Sequence, residues 1–127
     1  MRVLYVDDDR VNSLLFEEVC RHAPAVEVQT AGTGAEALAL VADWTPELLV
    51  IDLNLPDTNG LALLPALRHV LALPHLPAYL CTADETEQVA TQAAQVGYTG
   101  RWVKPVALNV VLAGLAQHGS ANNRAAP

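Results

Sequence analysis

Short apolar runs alternate with helix-like stretches along this chain, which predicts an α/β domain: a parallel sheet with helices on both faces. Two observations carry the prediction. Runs such as Leu48-Leu49-Val50-Ile51 are continuously apolar rather than alternating, as strands covered on both faces require. Four runs also end on a reactive polar residue. Val3-Leu4-Tyr5-Val6 leads into Asp7-Asp8-Asp9, and Leu48-Leu49-Val50-Ile51 into Asp52. Ala78-Tyr79-Leu80-Cys81 leads into Thr82, and Arg101-Trp102-Val103 into Lys104, the only lysine in the chain. Charged groups are costly inside a core, so four at corresponding strand ends suggest one site where the sheet finishes.

The first strand is predicted at 2–6. Asp9 caps the helix that follows over 11–22, whose Leu14, Leu15, Glu18 and Val19 are spaced as an apolar face with a solvated edge. A second strand spans 26–29. The second helix spans 34–43, with Ala37, Leu38 and Val41 inward. The third strand spans 48–51, and Asp52 to Gly60 is rich in turn residues. The helix over 61–70 contains Pro65, tolerable in a first turn and kinking beyond it. The fourth strand spans 77–81, a helix 85–96, the fifth strand 101–103 and a final helix 106–117.

Five strands and five helices in strict alternation, joined by right-handed crossovers, give a flavodoxin-like (βα)5 doubly wound sheet of five parallel strands in the order 2-1-3-4-5. Strands one, three, four and five then stand side by side, and their C-terminal ends form a row. Neighbours lie ~4.8 Å apart, so strands three and five end ~10 Å apart, within partial reach of a lysine side chain. Ligands of open α/β sheets bind beyond these carboxyl ends.

The 127 residues are one domain, with residues 1–117 forming it and 118–127, small and polar, a flexible tail. With 52% hydrophobic residues the chain is not disordered. It lacks an apolar run long enough for a membrane span and an obvious secretory leader, so a cytoplasmic protein without membrane contact is expected. Cys20 and Cys81 read as reduced core thiols. The formal net charge of -7 argues against nucleic-acid binding by this domain and leaves carboxylates that a divalent cation could neutralise. His22, His69, His75 and His118 have no metal-ligand spacing and read as surface or loop residues. Arg2, Arg10, Arg21 and Arg68 read as a solvated scatter, and Tyr98, Trp102 and the apolar positions of the last helix as either a partner surface or ordinary core packing, with core favoured for Trp102.

The converging carboxylates Asp7, Asp8 and Asp52 demand a counter-ion, and Mg²⁺ takes oxygen ligands of this kind. A carboxylate can also act as a nucleophile toward phosphorus, a reaction that needs charge neutralisation and positioning more than a base. Lys104 supplies a positive charge and the Thr82 hydroxyl a donor. Together they make a complete aspartyl-phosphate site.

On Val6-Asp7-Asp8-Asp9, Asp52-Leu53-Asn54-Leu55-Pro56 with Gly60, Thr82-Ala83 and Lys104-Pro105, the chain resembles the CheY-like receiver domains of two-component response regulators, over residues 2–117. The resemblance implies Asp52 as phosphoacceptor. It implies Mg²⁺ held by Asp8, Asp52 and the Asn54 backbone carbonyl, with Asp7 acting mainly through a water. Thr82 would bond and sense the phosphoryl group, Lys104 would pair with it, and the Lys104–Pro105 bond would be cis. A histidine kinase or histidine phosphotransfer protein would be the phosphodonor. A downstream protein would read the face made by the fourth helix, fifth strand and fifth helix, and a homodimer is a further expectation. Such a domain supports only its own phosphorylation and dephosphorylation. The opening Arg2-Val3-Leu4-Tyr5-Val6 and Asn12 also resemble receivers at the ends of hybrid sensor kinases.

The sequence departs from the family at Arg101, where a switch Tyr or Phe commonly stands. Either Arg101 takes another role, or signalling runs through the loop after strand four. Asn54 and Asp84, each two residues beyond a site residue, could orient water and shorten the phosphoryl lifetime. Taken singly, each motif has a plainer reading: a cap or turn for the acidic runs, a structural Thr82, a solvated Lys104. Those readings do not explain why all four coincide. Asp7-Asp8-Asp9-Arg10-Val11 also fits the opening of haloacid-dehalogenase-type phosphatases, with Asp7 as nucleophile, but the second acidic pair and cap of that family are missing. A degenerate receiver used only for binding is the third reading.

Overall fold

Apolar runs rich in leucine and β-branched residues form the central strands of the protein, described from a computed structural model, while the edge strands are more polar, Glu27–Ala31 on one side and Gly100–Val103, which carries Arg101, on the other. The structure describes residues 1–23, 25–84, 86–104 and 108–125, with side chains up to residue 118 except at 108 and 109. The elements run β1 (Arg2–Val6), α1 (Arg10–Cys20), β2 (Glu27–Ala31), α2 (Gly34–Leu40), β3 (Leu48–Asp52), α3 (Gly60–Leu71), β4 (Ala78–Thr82), α4 (Glu87–Val96), β5 (Gly100–Val103) and α5 (Leu108–Ala125). All strand pairs are parallel, in the order β2-β1-β3-β4-β5, as the alternation predicts.

Side chains alternate across a strand, and the buried strands use both faces. Leu4, Val6, Leu49, Ile51, Ala78 and Leu80 pack with Ala37, Val41, Leu63, Leu64, Leu67, Val89 and Ala93 on the side of α2, α3 and α4. Val3, Tyr5, Leu48, Val50, Tyr79, Cys81 and Trp102 pack with Phe16, Cys20, Val111 and Leu115 on the side of α1 and α5. Each fully buried aliphatic side chain stabilises the fold by about 1.5–3 kcal/mol before entropy is counted. Continuing the second stripe by the same period reaches Asp7 just after β1, Asp52 at the end of β3 and Lys104 just after β5. That periodicity brings the ionic residues to one end and one side of the sheet.

Several sequence expectations change. On α1 the inward residues are Ser13, Phe16 and Cys20, while Leu14 and Leu15 are exposed. The helix is rotated by three anchors: the Asp9 cap on the Val11 and Asn12 N–H groups, the stack of Phe16 on Tyr5 with centroids 4.4 Å apart, and the Asn12 bond to Asp7. Arg68 is not solvated. Its guanidinium donates to the Leu76 and Gly97 carbonyls, stapling the end of α3 to the segment before β4 and to the end of α4. His118 is half-buried, edge-on to Tyr79 and bonded to its hydroxyl. The last helix runs to Ala125 rather than 117, because a small polar composition does not by itself end a helix and the next proline is Pro127. Pro65 lies at the sixth position of α3, past the first turn, so it cannot donate to the Leu61 carbonyl. Trp102 is core, stacked on Tyr79 at 4.5 Å. No helix among the described residues is long and apolar enough to cross a membrane.

Two outcomes check this packing. Leu80→Ala, at a site with no exposure, should cost about 2–5 kcal/mol in a urea titration. Cys20 and Cys81 are free and buried, and burial pushes both thiols up to about 12. A thiol reagent at pH 8 should label neither until the chain unfolds, and rapid labelling of either would contradict the packing.

Candidate functional site

Strand register fixes the geometry of the row. Val6 pairs with Ile51, Asp52 with Cys81, and Thr82 with Val103, so the four strand ends are level. Asp7, Asp8 and Asp52 bring carboxylate oxygens within 4.8 Å of one another. Two such charges repel by roughly 3 kcal/mol at an effective dielectric of 20, so the cluster needs cations. Lys104 provides one: its Nζ lies 2.9 Å from Asp7 Oδ2 and 3.2 Å from Asp52 Oδ2. Three carboxylates and one ammonium still leave two negative charges, the complement of one divalent ion.

The three carboxylates are not equivalent. Asp7 is buried, and its Oδ2 accepts from Tyr5 Oη at 2.9 Å, Asn12 Nδ2 at 3.2 Å and Lys104 Nζ at 2.9 Å, while Oδ1 accepts from the Asp9 N–H. Burial alone would push this carboxyl up, but the donors from Lys104, Asp9 and Tyr5 outweigh it and hold Asp7 below the ordinary carboxylate range. Asp52 receives less. Beside Lys104, its bond comes from the Asn54 N–H at 3.5 Å, and burial together with the Asp7 charge raises its proton affinity against the pull of Lys104. Lys104 is partly buried, which opposes its charge, yet Asp7 and Asp52 hold it protonated and raise its pKa. Asp8 is exposed and makes no hydrogen bond among the described residues. Asp7 therefore anchors the cluster, and Asp8 and Asp52 keep open lone pairs.

An open cleft of about 370 Å³ lies over these groups, lined by Asp8, Asp52, Asn54, Thr82, Ala83 and Lys104 with Leu55 and Pro56. It has room for a hydrated ion and a phosphoryl group. A smaller, mainly apolar groove of about 90 Å³ between α1 and β5 reaches Lys104 from behind but gathers no comparable polar set. The loop floor is tight: a Cβ on Gly60 would stand 2.8 Å from the Asp52 carbonyl and 2.7 Å from Leu80 Cδ1, so only glycine fits there.

Thr82 is buried, and its Oγ1 accepts from the Asp84 N–H at 3.0 Å, leaving its proton free to donate. Asp84 Oδ1 in turn accepts from the Thr86 N–H at 2.8 Å, and Thr86 caps α4. Arg101 Nη1 donates to the Asp84 and Thr86 carbonyls, at 3.3 and 3.1 Å. The structure thus unites Asp7, Asp8, Asp52, Thr82 and Lys104 with the loop bearing Asn54, and sets Arg101 against the loop after β4 rather than in the cleft. Pro105 lies outside the described residues. Tyr5 and Asn12 escaped the sequence reading as site residues. The period of a strand, which puts residues 5 and 7 on one side, was the signal for Tyr5.

The sequence model of the response regulator receiver domain matches residues 3–116. The chain belongs to this family. Among its relatives, the chemotaxis protein CheY of Pseudomonas aeruginosa is 32% identical over 111 residues, covering 87% of this chain and 90% of that protein. The autoinducer 2 sensor kinase/phosphatase LuxQ of Vibrio harveyi is 28% identical over 111 residues, 87% of this chain but 13% of that longer protein. The solved structure of chemotaxis protein CheY4 of Vibrio cholerae superposes with a TM-score of 0.84 at 28% identity, covering 91% of this chain and 96% of that one. Receiver domains are in general signal transducers of two-component systems, and histidine kinases and downstream effectors are the classes of partner that they engage. The phosphatase reading of Asp7-Asp8-Asp9 falls with this assignment. In the structure Asp7 is the most fully donated carboxylate and therefore the poorest nucleophile of the three.

The ion cluster has a definite pH response. Asp7, lowered in the folded state, adds stability at neutral pH that is lost as pH falls through its folded value; Asp52, raised, works in the opposite sense. Removing the cation exposes the repulsion. In metal-free buffer at pH 7, Lys104→Ala should lose about 3 kcal/mol. Lowering the pH toward 5 should recover part of that loss, because a proton then replaces the missing charge. Equal losses at both pH values in denaturant titrations would contradict this.

Proposed function

We propose that this receiver domain is a phosphoryl-accepting switch, with Asp52 as the acceptor and Mg²⁺ as the required ion. The observation that carries the reading is the unequal treatment of the carboxylates: Asp7 is saturated with donors, while Asp52, facing the cleft beside Lys104, retains a lone pair and a raised proton affinity. Asp8, Asp52 and the Asn54 carbonyl would hold Mg²⁺, with Asp7 behind them, and the hard oxygen donors and residual charge of minus two fit it. The ion would neutralise charge on the phosphoryl oxygens.

In the reaction an Asp52 oxygen attacks phosphorus, the P–O bond forms and the P–N bond of a phosphohistidine on a kinase or phosphotransfer protein breaks. The imidazole leaves with the electron pair and takes a proton. Lys104 pairs with the phosphoryl group, and the Thr82 hydroxyl donates to it. Turning Thr82 toward phosphate strains its bond with the Asp84 N–H. Arg101 grips the same loop through the Asp84 and Thr86 carbonyls, so the change passes to the start of α4 and the α4-β5-α5 face. That face would engage an effector or a second copy of the chain. Asp84, with its carboxylate on the Thr86 N–H, and Asn54 would tune the lifetime of the acyl phosphate.

Incubation with Mg²⁺ and acetyl phosphate, followed by peptide mass mapping, tests the acceptor. Label should sit on Asp52, vanish in Asp52→Asn and vanish with EDTA; label on Asp7, or none, would defeat the proposal. Arg101→Ala should leave the initial labelling rate within about twofold, since Arg101 touches only the loop, while amide exchange at the start of α4 should accelerate about tenfold or more. Unchanged exchange there would remove Arg101 from the switch.

A further inference from the structure

The loop that carries Asn54 closes on itself but is not oriented by its own bonds. Gly60 N–H donates to the Leu53 carbonyl at 2.8 Å, Leu55 N–H to the Thr58 carbonyl at 3.2 Å, and Asn54 bridges Asn59. These bonds shape residues 53–59 into a unit. They do not determine how far that unit leans over the cleft.

Ties to other elements do: at the start of the loop the Leu53 N–H donates to the Cys81 carbonyl of β4 at 2.9 Å, and further along Asp57 reaches α2. The Asp57 carboxylate spans two backbone donors at the start of α2: Oδ1 accepts from the Gly34 N–H and Oδ2 from the Ala35 N–H, both at 2.9 Å. These two bonds lower the pKa of Asp57. Beside it, the Thr58 methyl sits where a side chain on residue 34 would be: a Cβ there would stand 2.6 Å from Thr58 Cγ2. Helix α2 already has its own cap, because Thr33 Oγ1 accepts from the Glu36 N–H at 3.0 Å. The Ala35 N–H lies at an exposed residue where water could satisfy it. Gly34 is buried, so its N–H relies on the carboxylate, and the bridge that completes the start of α2 also holds the loop against it.

We propose that Asp57 is a positioning residue of the metal site, strapping the 53–59 loop to α2 so that the Asn54 carbonyl meets the ion held by Asp8 and Asp52. The inference rests on the Mg²⁺ reading above and adds an element to it: α2, which contributes no side chain to the cleft, becomes part of the support of the metal site. Gly34 is the other half of the strap, since its missing Cβ lets Thr58 close against the helix.

The test is a titration of isotopically labelled protein with MgCl₂, followed at the Asp52 and Asn54 amides by NMR, in the native chain and in Asp57→Ala, Asp57→Asn and Gly34→Ala. Asp57→Ala should raise the Mg²⁺ dissociation constant about tenfold, the low end of what outer partners of metal ligands contribute. Asp57→Asn, which keeps one oxygen acceptor, should fall between, and Gly34→Ala should weaken binding by forcing Thr58 away. Binding and strap are linked, so saturating Mg²⁺ should slow amide exchange at Gly34 and Ala35 in the native chain and not in Asp57→Ala. Unchanged Mg²⁺ affinity in a folded but less stable Asp57→Ala would make Asp57 a mere helix cap and overturn the inference. Should Asp57→Ala fail to fold, the Asp57→Asn titration and the native exchange data decide alone. A native chain that binds no Mg²⁺ would remove the metal reading itself, an outcome distinct from intact binding that ignores Asp57.

Discussion

Three carboxylates share the end of a buried sheet with one ammonium group, and the local architecture follows from that crowding. Lys104 reaches from beyond β5 across β4 to bridge Asp7 and Asp52, which extend from the adjacent strands β1 and β3. A partly buried ion cluster of this kind contributes little net stability compared with an apolar core of equal volume. Its consequence is positional. It draws three strand ends together and leaves a charge deficit that a divalent ion or a proton must meet.

Within the cluster the protein separates an anchoring carboxylate from a reactive one by distributing donors. Tyr5, Asn12, Lys104 and the Asp9 N–H converge on Asp7, so that group is fixed and ionised. Asp52 is left with the Lys104 contact and one long backbone bond. The two loops that flank it are held from outside: the β3–α3 loop by the Asp57 bridge to α2, the β4–α4 loop by Arg101. Arg101 is the point at which this receiver departs from the aromatic side chain expected there. A guanidinium on two carbonyls is a directional clamp, whereas an aromatic ring would signal by packing in or swinging out.

The fold and the row of site residues were legible because they rest on local and periodic signals. Continuous apolar runs over 48–51 and 78–81 read as covered strands, and the polar residues that follow them gather where parallel strands finish. The α1 face was misread at Leu14 and Leu15 because the stripe that turns outward, Val11, Leu14 and Leu15, is more apolar than the one that is buried, Ser13, Phe16 and Cys20. What selected Phe16 and Cys20 was the stack on Tyr5 and the Asn12 bond to Asp7, contacts with another element. Arg68 was misread for the same reason, since its carbonyl acceptors lie 8 and 29 residues away.

The sequence by itself determined which residues form strands, their parallel order, and the chemical identity of the row from Asp7 to Lys104, because hydrophobic period and crossover handedness leave few alternatives. Only the tertiary structure decided how those residues divide their work. Whether a carboxylate is saturated or open, whether Arg101 faces a cleft or a loop, and whether Asp57 caps a helix 22 residues upstream depend on side chains meeting at hydrogen-bond distances, 2.9 Å for Asp57 and 3.3 Å for Arg101, between separate elements. Such distances emerge from packing of the whole domain, and no local pattern encodes them.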